Sequence, residues 1–250
     1  MLENPENTGN YDPKEFPPFA VTVDIVLFTI VNKSLRVLLI QRGAPPFRDA
    51  WALPGGFVLP DETLDHAAER ELSEETGIHK KQKFLEQLGT YGHPERDPRM
   101  RVVTVAHWAI IPNLPEPTGG SDAKYAELVP VSEIESGRIR LAFDHNTILK
   151  DAIERARSKL EYSTIATNFC EKEFSISELR EVYETVWNTK LDPGNFQRKI
   201  LQAKDSLIPL NKRTKPGEKG GKPATVYVTG TSKSISPPLM RPQHHPDLKE

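Results

Sequence analysis

Two stretches near the start of the chain are apolar and rich in β-branched residues: 20–31 (AVTVDIVLFTIV) and 35–41 (LRVLLIQ). Asn32-Lys33-Ser34 between them favours a turn, so the pair predicts a β-hairpin. Residues 101–111 (RVVTVAHWAII) alternate and predict another strand. The period changes in residues 63–75, where Leu64, Ala68 and Leu72 recur every fourth position and Gly77 follows as a stop. That pattern predicts a helix. A second helix is expected over 144–160, with Ile148, Ala152, Ile153 and Ala156 on one side. Strands flanking a helix without regular βαβ alternation predict an α+β domain built on a mixed sheet.

Beyond residue 160 the elements shorten. Helices are expected over 175–187, capped by Ser175 or Ser177, and over 193–203, capped by Asp192 with Pro193 in the first helical position. Apolar segments 207–210 and 225–228 then bracket a Lys/Gly-rich loop, TKPGEKGGKP. Helix, helix, hairpin is the order of a winged helix-turn-helix. Residues 231–250 are polar and Pro-rich and are expected to be disordered. No internal repeat is present. The division expected is an N-terminal arm (1–17), a main domain (18–143), a linking helix (144–160), a winged-helix domain (161–230) and a tail (231–250).

Composition narrows the class. The 250 residues carry a net charge of -2, with mean hydropathy -0.52. The longest apolar run, 23–31, is broken by Asp24 and falls far short of the roughly 20 residues a membrane span needs. Residues 1–14 are polar and lack the apolar segment of a signal peptide. The single cysteine, Cys170, excludes a disulfide framework and an all-cysteine zinc site. A cytoplasmic protein with no membrane partner is expected. The small net charge hides an asymmetry. Residues 190–250 hold 12 Lys or Arg against 5 Asp or Glu, leaving 21 against 30 in residues 1–189. A basic end on an acidic protein points to a polyanion partner or to a merely solvated tail.

The chemistry concentrates in residues 56–78, GFVLPDETLDHAAERELSEETGI. At ~100° per residue, Glu71, Glu74 and Glu75 share an arc about 100° wide on the helix. Carboxylates this close repel by a few tenths of a kcal/mol per i,i+4 pair, which a divalent cation with oxygen ligands offsets. Arg70 can hold a neighbouring carboxylate. Glu62 lies near the positive end of the helix, and Gly55 and Gly56 allow close backbone approach. A solvated acidic face is the alternative for Glu74-Glu75 alone. The full spacing with glycines at both ends argues against it.

Gly56, Glu62, Arg70-Glu71-Leu72, Glu74-Glu75, Thr76 and Gly77 resemble the Nudix box at every fixed position. The resemblance implies a Nudix α/β/α sandwich, with Gly56, Glu71, Glu74 and Glu75 as ligands of Mg²⁺ or Mn²⁺. It further implies catalytic roles for Glu62, Arg70, Glu71, Glu74 and Glu75 in water attack on a nucleoside diphosphate linked to another group. The general base varies across the superfamily and is not assigned. Residues 41–43, 51–58, 88–99, 141–145, 159–162 and 191–199 are similar to those of one subgroup. These are the two-domain ADP-ribose-type Nudix proteins with a C-terminal winged helix, including the transcriptional regulators of bacterial NAD metabolism. That resemblance implies an ADP-ribose-like ligand, double-stranded DNA as partner and a homodimer. Many of those regulators have a degraded box, whereas this one is complete, which favours retained hydrolysis over pure sensing.

Arg42, Tyr91, Arg96 and Arg99 are candidate substrate contacts, since arginine forks onto phosphate and tyrosine stacks. Each has the alternative of a surface loop or core role. Asn195, Gln197, Arg198 and Lys199 on the second short helix are candidates for the DNA groove, and Arg213, Lys215 and Lys222 for phosphates. A winged helix used only for dimerisation is the alternative. His93 and His145 lack metal-ligand spacing and read as structural. Cys170 reads as a small buried residue.

Overall fold

The computed structural model describes residues 13–77, 84–114, 117, 123–214 and 223–242. Strand β1 (Ala20–Val31) is central because it is apolar on both sides. Val23, Ile25 and Leu27 enter one buried cluster, and Val26 and Phe28 enter another. A strand covered on both faces needs such a near-continuous run. β1 turns into β2 (Ser34–Arg42) through Asn32 and Lys33, both at positive φ (50° and 61°), which is the twist a two-residue hairpin requires. Ser34, expected in the turn, already pairs with Val31.

Five further strands complete a mixed sheet: β3 (Trp51–Ala52), β4 (Gly55–Phe57), β5 (Leu85–Tyr91), β6 (Val102–Ile110) and β7 (Ala123–Pro130). β6 runs parallel to β1, with Val23 opposite Val105, while β4 pairs antiparallel with the start of β1, Val23 opposite Gly56. β3 and β7 pair with β2, and β5 with β6. Helix α1 (Leu64–Thr76) packs Ala67, Ala68 and Leu72 on one face of the sheet. Thr63 caps its start, and Gly77 at φ 70° ends it. After the short α2 (Val131–Glu135), helix α3 (His145–Tyr162) covers the other face through Ile148, Leu149, Ala152 and Ile153. The α/β/α sandwich on a mixed sheet matches the expected class.

The second unit adds β8 (Phe174–Ser175), α4 (Ile176–Trp187), α5 (Pro193–Gln202), β9 (Leu207–Arg213) and β10 (Thr225–Thr229). The three strands form a sheet in the order β8-β10-β9. Ser175 and Glu178 make a reciprocal capping box on α4, which selects Ser175 of the two expected caps; Asp192 caps α5. Tyr183 packs edge-on against Trp187 and Phe196. The two units share one apolar core, which runs from Trp108 in the sheet through Ala156 and Leu160 of α3 to Tyr183 and Phe196. Trp187 donates its indole N–H to the Arg157 carbonyl (2.9 Å), and Arg157 donates Nε–H to the Val186 carbonyl (3.1 Å).

The disorder expected over 231–250 is corrected for residues 231–242. Ile235 and Leu239, four apart, are buried in the shared core. Their amides donate to the carbonyls of Tyr162 and Glu161, and Arg241 forks onto Glu154 of α3. The Pro-rich composition around them hid the two apolar side chains from a reading by composition. Residues 1–12 and 243–250 lie outside the described residues.

Candidate functional site

The β3–β4 connection, the start of β1 and helix α1 meet at a cleft of about 760 Å³. Gly56 leaves room for Glu71: a Cβ at that position would lie 2.2 Å from its Oε1 and would displace the carboxylate. Glu75, one turn further along α1, receives the Gly55 amide at 2.8 Å and is otherwise enclosed. Burial pushes its carboxyl up to about 8. Burial also raises Glu71. Glu74 is half exposed and lines the same cleft.

Arg70 organises this acidic face with all of its nitrogens. It forks onto Glu62 (2.6 and 3.0 Å), donates to Glu71 (2.7 Å) and Glu74 (3.1 Å), and reaches the Phe57 carbonyl (3.1 Å). The arginine fork and the Leu59 amide hold Glu62 down at about 2. Glu62 is therefore a brace for Arg70 and does not itself line the cleft. Among the described residues no three His, Cys, Asp or Glu side chains stand in metal-ligand geometry, since Arg70 sits among the three that would supply it. The donors are all carboxylate oxygens around a glycine cradle, which suits a hard divalent cation.

The opposite charge lines the same cleft. Arg42, Arg96 and Arg99 all border it. Arg42, half buried, donates Nε–H to the Pro46 carbonyl (2.8 Å) and has no carboxylate within 4 Å among the described residues. Arg99 forks onto Asp97 (2.7 and 3.0 Å). Arg96 is 7% exposed and contacts Asp144 (2.8 and 3.0 Å) and Asp24 (3.2 Å) through Nε and one terminal nitrogen, which fixes it in the cleft wall. Tyr91 does not line the cleft; its hydroxyl donates to Asp151 on α3 (2.9 Å). Its aromatic ring packs on the core at α3, away from the position expected of a stacking residue.

Sequence reasoning missed the floor of the cleft. Asp24, His145, Phe57 and Phe143 all line it. His145 accepts the Leu53 amide on Nδ1 (3.0 Å), so the Nε2 side faces Asp24 (3.4 Å). Burial keeps its pKa below the usual histidine value, in line with the structural role expected of it. The signal for Asp24 was its interruption of an apolar strand. His93 accepts the Glu95 amide in its own turn. Cys170, packed against the core, has its thiol pushed up to about 12 by burial, which makes it unreactive.

On the second unit, Asn195, Gln197 and Arg198 are exposed on α5 and Lys199 is partly exposed, while Phe196 and Ile200 are buried. Arg198 donates to Asn195 (2.7 Å). Arg213 is exposed at the end of β9 and donates to the Pro223 carbonyl (3.2 Å). Lys215 and Lys222 lie outside the described residues. Among the described residues no helix is long and apolar enough to cross a membrane.

Known proteins are similar over both units. A family model described as NUDIX domain matches residues 18–152, and one described as NrtR DNA-binding winged helix domain matches 166–228. The ADPR responsive transcriptional repressor NtrR of Acinetobacter baylyi is 30% identical over 96% of this chain and 94% of its own length. An ADP-ribose pyrophosphatase of Methanocaldococcus jannaschii is 42% identical over 53% of this chain and 72% of its own length. The crystal structure of Shewanella oneidensis NrtR complexed with a 27mer DNA superposes with a TM-score of 0.73. It is 31% identical and covers 88% of this chain and 99% of that one.

Proposed function

The chain belongs to the Nudix family, in the branch that carries an NrtR-type winged helix behind the Nudix domain, and from that membership we propose a two-part function. The Nudix unit takes ADP-ribose or a similar nucleoside diphosphate-linked compound and hydrolyses it with Mg²⁺ or Mn²⁺. The winged helix binds double-stranded DNA. The observation that carries the first part is one cleft that joins a complete Nudix box to Arg42 and Arg99. Residues 18–143 would form the ligand unit and 161–230 the DNA unit.

Glu71, Glu74 and Glu75 would hold the cation, which when bound polarises a phosphate oxygen and activates water. Water then adds to one phosphorus, a P–O bond of the diphosphate bridge breaks, and AMP leaves with a sugar phosphate. The chain's own residues orient the parts. The Gly55 amide fixes Glu75, Arg70 braced by Glu62 sets Glu71 and Glu74, and the arginine pair faces the negative diphosphate. AMP release from ADP-ribose with Mg²⁺, lost in Glu75→Gln, is the expected result. Equal release by the variant would overturn the assignment.

A second reading has specific support. Arg70 engages Glu62, Glu71 and Glu74 together, an arrangement that offsets part of the acidic charge without a cation. ADP-ribose binding without turnover would then serve only to control the winged helix, as in an ADPR-responsive regulator. Protection against heat by ADP-ribose with no AMP release would decide for that reading.

Phe19, Val21, Leu59 and Met100 are exposed where β1 meets β4 and β6, and they suit a homodimer contact. Leu59→Asp is expected to halve the mass seen by light scattering.

A further inference from the structure

Phe143 stands at φ 54°, a conformation that a bulky side chain adopts only where its surroundings hold it. It immediately precedes Asp144, which stands at the start of α3 with its carboxylate gripped by Arg96 and not capping the helix, and it follows the Ala142 amide bonded to the Trp51 carbonyl. The ring so placed lines the cleft and serves two cations at once. The Arg42 guanidinium lies 4.8 Å from its centroid and that of Arg99 lies 6.0 Å away. Arg99 is also 5.4 Å from the Phe57 ring, and Phe47 closes on Phe143 edge-first at 4.8 Å. Each guanidinium has a second tether, Arg42 to the Pro46 carbonyl and Arg99 to Asp97. The two positive groups are thus held on one wall although they repel each other, and no carboxylate pairs directly with Arg42 among the described residues.

We propose that Phe143 is the positioning residue of a diphosphate clamp: its ring fixes the orientation of Arg42 and Arg99 so that their N–H edges meet the two phosphates of the ligand. A rigid, partly dehydrated guanidinium pair matches two linked phosphates better than two freely rotating ones, because less rotamer freedom is lost on binding. This inference rests on the cleft taking a nucleoside diphosphate, as proposed above.

The test is calorimetric titration of the full chain with ADP-ribose and, separately, with inorganic pyrophosphate. Phe143→Asn keeps a residue that tolerates positive φ and removes the ring. It is expected to hold its melting temperature yet bind both probes about tenfold more weakly, the scale of removing two ring–guanidinium interactions. Phe143→Tyr restores the affinity. Adding Phe143→Asn to a variant that already carries Arg42→Ala and Arg99→Ala costs no more than a further factor of about two, because the ring acts through the two arginines. Native affinity in Phe143→Asn, or a full further loss of about tenfold in the triple variant, overturns the clamp. If the native chain binds pyrophosphate in a Phe143-dependent manner but not ADP-ribose, the nucleoside reading falls and the clamp stands.

Discussion

Glu75 gives the site a pH dependence whose sign follows from its burial. Its carboxyl is pushed up to about 8 in the folded chain, above the unfolded value of about 4.3. The protonated form is therefore the one folding favours. That contribution is fully present below the unfolded pKa and is lost as pH rises through about 8. In chelator, the native melting temperature minus that of Glu75→Gln is expected to fall between pH 5 and 8; a flat difference would refute it. Arg96 has the opposite lesson. Removing it leaves Asp24 buried without its cation, and loss of one partner of a buried pair costs about 3–5 kcal/mol. Arg96→Met is expected to lose that much unfolding free energy in a urea titration. The box residues were legible because a fixed spacing on one helix needs no tertiary knowledge. Asp24, Phe143 and His145 come together only once β1, the β3–β4 connection and α3 are folded, so no local pattern marks them.

At the scale of elements, sequence periodicity found β1, β2, β6 and all three long helices, because each has an apolar face of its own. β5 and β7 escaped it. β5 reads LEQLGTY with one buried position, and β7 gains its place from pairing along β2. The tail is the clearest case, since Ile235 and Leu239 are buried on α3 from a stretch whose proline-rich composition reads as disordered. Leu239→Ala is expected to destabilise the chain by about 2–5 kcal/mol, read by chemical denaturation, where a disordered tail would give no change. On α5, Arg198 is exposed and Lys199 partly exposed, as the DNA contacts proposed for them require. Replacing both by alanine is expected to reduce the slope of log affinity against log salt by about two, one for each phosphate no longer neutralised. An unchanged slope in a gel-shift series would move the DNA face elsewhere.

At the scale of the whole molecule, one of the two apolar clusters spans both units, where the sequence suggested two domains joined by a linking helix. Ile148, Leu149, Ala152 and Ile153 of α3 pack with the sheet, while Leu160 of the same helix belongs to the cluster that holds Tyr183 and Trp187. A single calorimetric transition with matching calorimetric and van't Hoff enthalpies is therefore expected. Two resolved transitions would show the units to be independent. The charge asymmetry legible in the sequence survives in the fold as an acidic cleft at α1 and an exposed basic edge at α5.

The shared helix also bears on descent. A recombination event that joins a new winged helix to this Nudix unit must break the chain somewhere, and a break within His145–Tyr162 leaves both halves with a mismatched interior. A crossover after Tyr162 keeps α3 whole but still brings in a stranger to Arg157 and to the Leu160 end of the helix. A foreign winged helix joined there would have to be matched to Arg157 and Leu160, whereas substitutions on the exposed surface of α5 leave that interior untouched.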